Sequence, residues 1–424
     1  MSVDSRRFSA NAIYLIFSGS NSLFFALIVT VNLVYQVEVA KLNPLQLVLV
    51  GTALETVCFI FQVPTGILAD IYGRRLAVII GTIVIGIGFI LEGSIPRFET
   101  IMLAQGLFGV GATFTDGAEQ AWIAGEVGED NVGVLFVRAT QIGLLGGLLG
   151  ALFSAVLASI RLNLPIVIGG CLYVALALFL IFYMPEQGFQ RISKEERPSW
   201  RQMTDTFRAG LRLVHLQSML LIMLAIQLFF GLSSEGYDRL STAYFLVNFT
   251  FPVLWQLKPV AWFGIFSIAG TLFSLAITEL IKRRLDINHQ RTVIATLFSL
   301  NLLNVLCILL FALTGNFFLA VLAYLGYGTF RSAMRPVWTT WLTRNTSAGT
   351  RATVISLVAQ ADALGQIAGG PPVGYIGVAF SLRAALASVS VILSPVMLLL
   401  AYAWHKAAPS GAPVEEENTV TEPV

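Results

Sequence analysis

The chain has 424 residues, 56% of them hydrophobic and 12% charged, with a formal net charge of +2. A soluble domain carries about 25% charged residues, so an ordinary soluble globular protein is excluded, and nothing points to a nucleic-acid partner. Apolar runs of about 20 residues recur along the whole length, which is what a helix needs to cross a hydrocarbon core of about 30 Å. They are too continuously apolar for barrel strands, which alternate over about 10 residues. The fold class is therefore an all-α membrane protein, with the lipid bilayer as its solvent.

The opening MSVDSRRFSA leads into an apolar run with no small-residue cleavage site, so a retained first span is expected rather than a signal peptide. Twelve transmembrane helices are predicted, at about 10–36, 44–69, 76–95, 100–124, 132–160, 163–184, 217–248, 258–281, 292–313, 315–343, 352–376 and 380–404. They group as two six-helix bundles, 1–184 and 217–404, joined by a polar linker, 185–216. In the linker Trp200, Met203, Phe207, Leu211 and Val214 recur at helical spacing, with Arg201, Asp205, Arg208 and Arg212 elsewhere. This predicts an amphipathic helix, lying on the inner membrane surface or against the bundle. The tail, 405–424, is rich in Pro, Glu and Thr and is expected to be a disordered cytoplasmic segment.

With the N-terminus inside, one side collects Arg6, Arg7, Arg74, Arg75, the linker arginines, Lys282, Arg283, Arg284, Arg291, Arg344, Arg351 and Lys406. The other side holds only Lys41, Arg97, Arg161, Lys258 and Arg383. Both termini are thus expected to be cytoplasmic, in a plasma membrane (the inner membrane of a bacterial cell). Cys58, Cys171 and Cys307 lie far apart inside apolar runs, with no metal spacing or disulfide framework, and are expected to be small core residues.

Between spans two and three the chain reads GILADIYGRR. Gly66 and Gly73 permit a tight turn and close helix approach. Asp70 can bond a neighbouring helix N-terminus, and Arg74 and Arg75 can pair with it or meet anionic lipid. This segment resembles the loop signature G-x-L-A-D-x-x-G-R-R/K of the major facilitator superfamily, with Gly66, Leu68, Asp70, Gly73, Arg74 and Arg75 matching position by position. The six-plus-six layout agrees over about 10–404. The resemblance implies two bundles around a central cavity, alternating between inward-open and outward-open states, with this loop latching them on the cytoplasmic side. The equivalent loop of the second half, TELIKRRLDINHQR, keeps its basic residues but lacks the glycines and the aspartate.

Span five contains GLLGGLLG and span eleven GQIAGGPPVG, both with G-x-x-x-G, which permits close packing between bundles. The first resembles a glycine motif of the superfamily's antiporters without its proline; prolines occur only in span eleven, as Pro371 and Pro372. No phosphate-binding loop G-x-x-x-x-G-K-[ST] is present, so no nucleotide cofactor is expected and a gradient should supply the energy.

Ionised groups inside a membrane cost at least about 2.5–3.5 kcal/mol each and normally face a partner or a wet path. Asp116 and Glu119 in span four are i, i+3; Arg331 and Arg335 in span ten are i, i+4. The two spans are pseudo-equivalent, so a cytoplasmic gate is expected in which these acids meet these arginines when the inner side closes; pairing of each half within itself is the alternative. Arg138 in span five can pair with Asp116 or Glu119. Glu55 in span two and Asp362 in span eleven are candidate proton carriers or buried hydrogen-bonded acids, because removal from water favours a neutral carboxyl group. In span seven, QLFFGLSSEGYDRLSTAYFLV places Glu235, Asp238 and Arg239 on one helix face. Substrate binding, proton coupling and structural pairing all remain open for this cluster. Gly236 with Ser233 and Ser234 would permit local unwinding at a gate. Asn21, Asn32, Gln227, Tyr237 and Tyr244 add polar and aromatic handles.

The sequence thus reads as a monomeric secondary transporter of a small solute, coupled to protons, and most like the drug-efflux members of that superfamily. The competing reading is an uptake symporter for a sugar, organic acid or amino acid. A membrane-embedded enzyme is disfavoured, since His215, His289 and His405 all fall at cytoplasmic ends.

Overall fold

A computed structural model describes residues 9–189, 218–252, 259–284, 289–347 and 350–407. The expected linker helix and nearly all of the expected tail lie outside these. Among the described residues the chain is helical: α1 (Ala10–Glu38), α2 (Pro44–Tyr72), α3 (Arg74–Ser94), α4 (Phe98–Thr115), α5 (Ala118–Val127), α6 (Glu129–Ile160), α7 (Leu164–Tyr183), α8 (Ser218–Asn248), α9 (Pro259–Arg284), α10 (Gln290–Leu313), α11 (Phe317–Arg344), α12 (Arg351–Ala379), α13 (Leu382–Leu393) and α14 (Pro395–Lys406). They make twelve crossings, because α4 with α5 and α13 with α14 are each one span interrupted. Ten spans are long and apolar enough to cross a membrane by length and composition alone. The other two are α4, which is only 18 residues long before its interruption, and α12, which carries Asp362 with Gln360 and Gln366.

Local chemistry sets the helix ends. Asn43 begins α2 with a capping box: its side chain accepts from Gln46 N at 2.9 Å, and Gln46 Oε1 accepts from Asn43 N at 3.0 Å, with Pro44 in the first turn. Asn316 and Ser381 cap α11 and α13 more simply, their side chains accepting from Phe318 N and Leu319 N and from Ala384 N. The span-four interruption follows from Gly117, which sits at φ 74 immediately after Asp116 closes α4. At the other interruption Pro395, which has no N–H, starts a new helix after Ser394.

In the first bundle α1 packs on α6 and α7, α3 on α4 and α7, and α2 on α4; in the second α8 packs on α12 and α13, and α11 on α9 and α10. The aromatic core of the second bundle centres on Phe245, fully buried, which touches Phe249, Phe263, Phe266, Phe311 and Tyr324. Cysteines 58, 171 and 307 are free; Cys58 and Cys307 are half-buried, Cys307 packing on the core of the second bundle, but Cys171 is exposed rather than a core residue.

The expectation that both glycine-rich segments join the bundles needs correction. Gly143, Gly146 and Gly150 pack on Ser22, Gly19 and Leu23 of α1, inside their own bundle. In α12, Gly365 and Gly369 lie against Leu228 and Leu232 of α8, also internally, whereas Gly370, Gly374 and Gly377 meet Val48, Leu45 and Pro44 of α2. Only this last set crosses between bundles. It sits at the end of the molecule opposite GILADIYGRR, hereafter the far end, as does the approach of Gly264 in α9 to Ala155 in α6.

Candidate functional site

The two bundles close on each other at the far end and part toward the motif end. Three cavities, of about 670, 800 and 200 Å³, line the gap. The first and second share Leu144, Ser267 and Thr271; the second and third share Arg331 and Arg335. Gly66 faces open space, and Leu68, Asp70 and Tyr72 near it are exposed, so the motif end is apart in this state.

Glu235 and Arg239, one turn apart on α8, form an ion pair at 2.9 Å, with side chains only 5% and 15% exposed. What admits this pair is the absence of two side chains. A Cβ on Gly51 of α2 would run into the Glu235 carboxylate and the Arg239 guanidinium. A Cβ on Gly370 of α12 would lie 3.2 Å from Glu235 Cγ and 2.9 Å from Thr52 Oγ1. The pair is therefore seated in a glycine cradle whose walls belong to both bundles. Glu55, one turn further along α2, is half-buried.

Asp238 turns the other way. It binds Arg331 of α11 at 2.7 and 2.8 Å, both oxygens accepting from one nitrogen, and the Arg331 guanidinium lies 5.7 Å from the centre of the Tyr327 ring. The sequence grouped Glu235, Asp238 and Arg239 as one cluster; the structure splits it into a buried pair and a cavity-facing pair. Tyr237 packs on Tyr327 with ring centroids 4.1 Å apart, and its hydroxyl, enclosed beside the second cavity, has no hydrogen-bond partner among the described residues. Ser267, Thr271, Ser274 and Thr278 line the same cavity as a hydroxyl stripe along α9, the helix that also contributes Phe263 and Phe266.

Asp362 is held by two amides, Gln227 Nε2 at 2.9 Å and Gln366 Nε2 at 3.0 Å, and borders the third cavity with Arg331, Arg335 and Trp338. Asp116, Arg138 and Arg335 are exposed and Glu119 half-buried, and none of their side chains makes a hydrogen bond or ion pair among the described residues. The expected gate partners are thus not brought together in this state. Nor do Asp116 and Glu119 share a helix face as expected, because the chain breaks between them at Gly117.

Two further expectations are corrected. The segment around Gly236 does not unwind: α8 runs unbroken, and Ser233 and Ser234 bond back to the carbonyls of Phe230 and Gly231 within it. Arg74 and Arg75 do not pair with Asp70. Arg74 Nη1 donates to Ala121 O at 2.7 Å and Arg75 Nη2 to Ile181 O at 2.6 Å, tying the loop to α5 and α7. Gly73 is needed on two counts: its φ is 121, and a Cβ there would lie 2.7 Å from Glu186 Oε1, which accepts from Arg75 N.

One buried acid escaped the sequence reading. Glu92, near the far end of α3, is fully enclosed and accepts from Gln36 Nε2 and Gln105 Nε2, each at 2.8 Å. Gln36 Nε2 also donates to Asn32 at 2.5 Å, so Asn32 belongs to this network rather than to the cavity. Tyr244 likewise is buried and bonded to Ala312 O, and Asn21 accepts from Tyr173. Glu92 lies two residues from the end of its helix, where a carboxylate ordinarily reaches water; the signal against that was the i, i+4 pair Asn32 and Gln36 at matching depth in span one.

Comparison with known proteins places these features in a lineage. The sequence model of the Major Facilitator Superfamily matches residues 10–370. An uncharacterized MFS-type transporter, YxaM of Bacillus subtilis (strain 168), is 22% identical over 359 residues, covering 84% of this chain and 86% of that one. Among solved structures, the nucleoside transporter NupG superposes with TM-score 0.70 at 17% identity, covering 94% of this chain and 98% of that one. A POT family transporter in complex with 5-aminolevulinic acid gives 0.72 at 12%, over 93% and 96%. A bacterial homolog of the human lysosomal transporter Spinster, in an inward-facing and unoccupied conformation, gives 0.69 at 14%, over 93% and 96%.

Proposed function

We propose a cargo, a direction and an energy source for this chain, which belongs to the Major Facilitator Superfamily and is a secondary transporter of that type, not an enzyme. It exports an amphipathic, drug-like compound across the plasma membrane in exchange for protons, working as a monomer with both termini and the GILADIYGRR loop in the cytoplasm. The state described above is then the inward-open one, with the two halves, 1–184 and 217–404, rocking about the cavity.

The observation that carries this reading is the second cavity. About 800 Å³ holds a drug-sized solute, and its second-bundle wall is aromatic, with Tyr237, Tyr324, Tyr327, Phe263 and Phe266. Apolar bodies bind such a wall, and the Asp238–Arg331 pair gives it a charged handle. A second reading has its own support. The hydroxyl stripe on α9 suits a hydrophilic solute such as a sugar, organic acid or amino acid, taken up with protons. The positive-inside distribution of Lys and Arg supports the orientation, and Glu55 and Asp362 at the bundle interface are the proposed proton carriers.

Reconstituted vesicles distinguish the two. Export by exchange predicts that an amphipathic solute accumulates on the acidic side of an imposed pH gradient. Symport predicts that a hydrophilic solute accumulates on the alkaline side. Accumulation of neither, with a panel spanning both classes, would overturn proton coupling.

A further inference from the structure

The second and third cavities meet at one turn of α11, which carries Arg331 and, four residues on, Arg335. The two guanidinium groups are not equivalent. Arg331 is occupied: Asp238 accepts from it at 2.7 and 2.8 Å, and it lies over the Tyr327 ring. Arg335 is exposed, and its side chain has no hydrogen-bond or ion-pair partner among the described residues. Asp362 also borders the third cavity, but its two oxygens are bound by Gln227 and Gln366. Asp116 and Glu119, the acids expected to meet Arg335 in a closed gate, belong to the first bundle and stay apart from it in this state.

A carboxyl group in a membrane can lose its charge by taking up a proton. A guanidinium group cannot, so Arg335 stays positive at any working pH. An unmatched charge inside a membrane is costly, and an anionic group on a solute removes that cost. The surroundings suit such a group joined to an apolar body. Toward the far end the same helix presents Tyr324 and Tyr327, which with Phe263 and Phe266 make the aromatic wall of the second cavity. Tyr327 and Arg335 are separated by about 12 Å along the helix axis, so a solute lying on the wall reaches Arg335 with its head. Phe230, Trp338 and Arg335 border the third cavity, of about 200 Å³. That is below the roughly 300 Å³ at which sites for drug-sized molecules begin, so it admits a head group and not the body.

We propose that the cargo of this cavity carries an anionic head, and that Arg335 is the residue that binds it. A carboxylate, sulfonate or phosphate accepts from the forked N–H groups of Arg335 while the apolar body lies on the tyrosines. This rests on the reading of the second cavity as the cargo site, and it adds the sign of the cargo's charge. The same chemistry belongs to a solute and to an anionic lipid, and the experiment separates the two.

The test is protection of a cavity cysteine from a thiol reagent, on the full chain in phosphatidylcholine nanodiscs. Cys58, Cys171 and Cys307 are replaced, and Ser332→Cys, at an exposed position on the second cavity, is the reporter. The probes share one apolar body: naphthoate, naphthylmethanol and naphthylmethylamine. Naphthoate should protect at about a tenth or less of the concentration that the alcohol or the amine requires. Arg335→Gln should remove that preference and leave protection by the alcohol unchanged. Arg335→Lys should keep part of it, because the charge stays while the planar fork is lost. Should Arg335→Gln fold poorly, added salt supplies the second measurement: it should weaken protection by naphthoate and not by the alcohol. Phosphatidylglycerol in the nanodiscs identifies the source. Slower labelling without any probe, reversed by Arg335→Gln, assigns the anionic head to a lipid; labelling that slows only with naphthoate assigns it to a solute. Equal protection by all three probes, or an anion preference that survives Arg335→Gln, would overturn the proposal while leaving the cavity as a cargo site. Protection by none of them would remove that cargo site, and the proposal with it.

Discussion

Gly51→Ala is the smallest change that acts on the contact between the bundles. The added methyl group falls on the Glu235 carboxylate and the Arg239 guanidinium. These are the ends of flexible side chains rather than backbone, so α2 can stay in place while the pair shifts or the far end parts. Overpacking of this kind costs about 1–3 kcal/mol. The cost is confined to the state in which the bundles touch here, and it disappears when they separate. A difference of about 1–3 kcal/mol between two states changes their ratio roughly 5- to 150-fold. The assay is labelling by a membrane-impermeant thiol reagent at two reporters. Leu45→Cys at the far end, packed on Gly374 when closed, should react faster by a factor in that range. Gly66→Cys at the motif end, open in the present state, should react more slowly. The native cysteines 58, 171 and 307 are replaced first. Unchanged rates at both reporters, in a variant that folds and inserts normally, would refute the cradle as a determinant of the closed state.

Three other outcomes follow from named contacts. The Asp238–Arg331 side chains are 46% and 32% exposed, so their pair contributes at most about 1 kcal/mol to stability; Asp238→Asn should leave the thermal midpoint nearly unchanged but slow solute exchange, and the swap Asp238→Arg/Arg331→Asp should restore part of it. Gly73→Ala meets both a left-handed φ and the Glu186 carboxylate, so the variant should lose about 1–2 kcal/mol or more, visible as a lower unfolding temperature. Glu55→Gln or Asp362→Asn should abolish transport driven by a pH gradient while sparing downhill exchange; for Asp362 the amide partners Gln227 and Gln366 accommodate the substitution. Intact coupling in both variants would remove these two acids from the proton path.

How much the sequence revealed depends on how many helices a feature needs. Span positions were legible because length and hydropathy are local properties. The Glu235–Arg239 pair was legible because one helix sets an i, i+4 distance. The Asp238–Arg331 pair was not, since it depends on how α8 and α11 are rotated toward each other. Gly51 carries no mark in the sequence beyond being small, and Gly370 was marked only as part of the glycine-rich GQIAGGPPVG; their shared role appears only when the Glu235–Arg239 pair fills the space they leave. The break after Asp116 did have a local signal, the Asp-Gly step itself, but the surrounding apolar run masked it. Glu92 was hidden by its place near a helix end, because burial there is decided by the neighbouring α1 and α4.

The central claim is that this chain closes at one end while it opens at the other. Double electron–electron resonance between spin labels tests it most directly, with one pair on Lys41 and Phe380 at the far end and another on Tyr72 and Ile355 at the motif end, all but Lys41 exposed hydrophobic positions. On adding a transported solute or changing pH, the far-end distance should lengthen as the motif-end distance shortens, in matching proportions. Distances that stay fixed, or that lengthen together at both ends, would contradict alternating access in this protein.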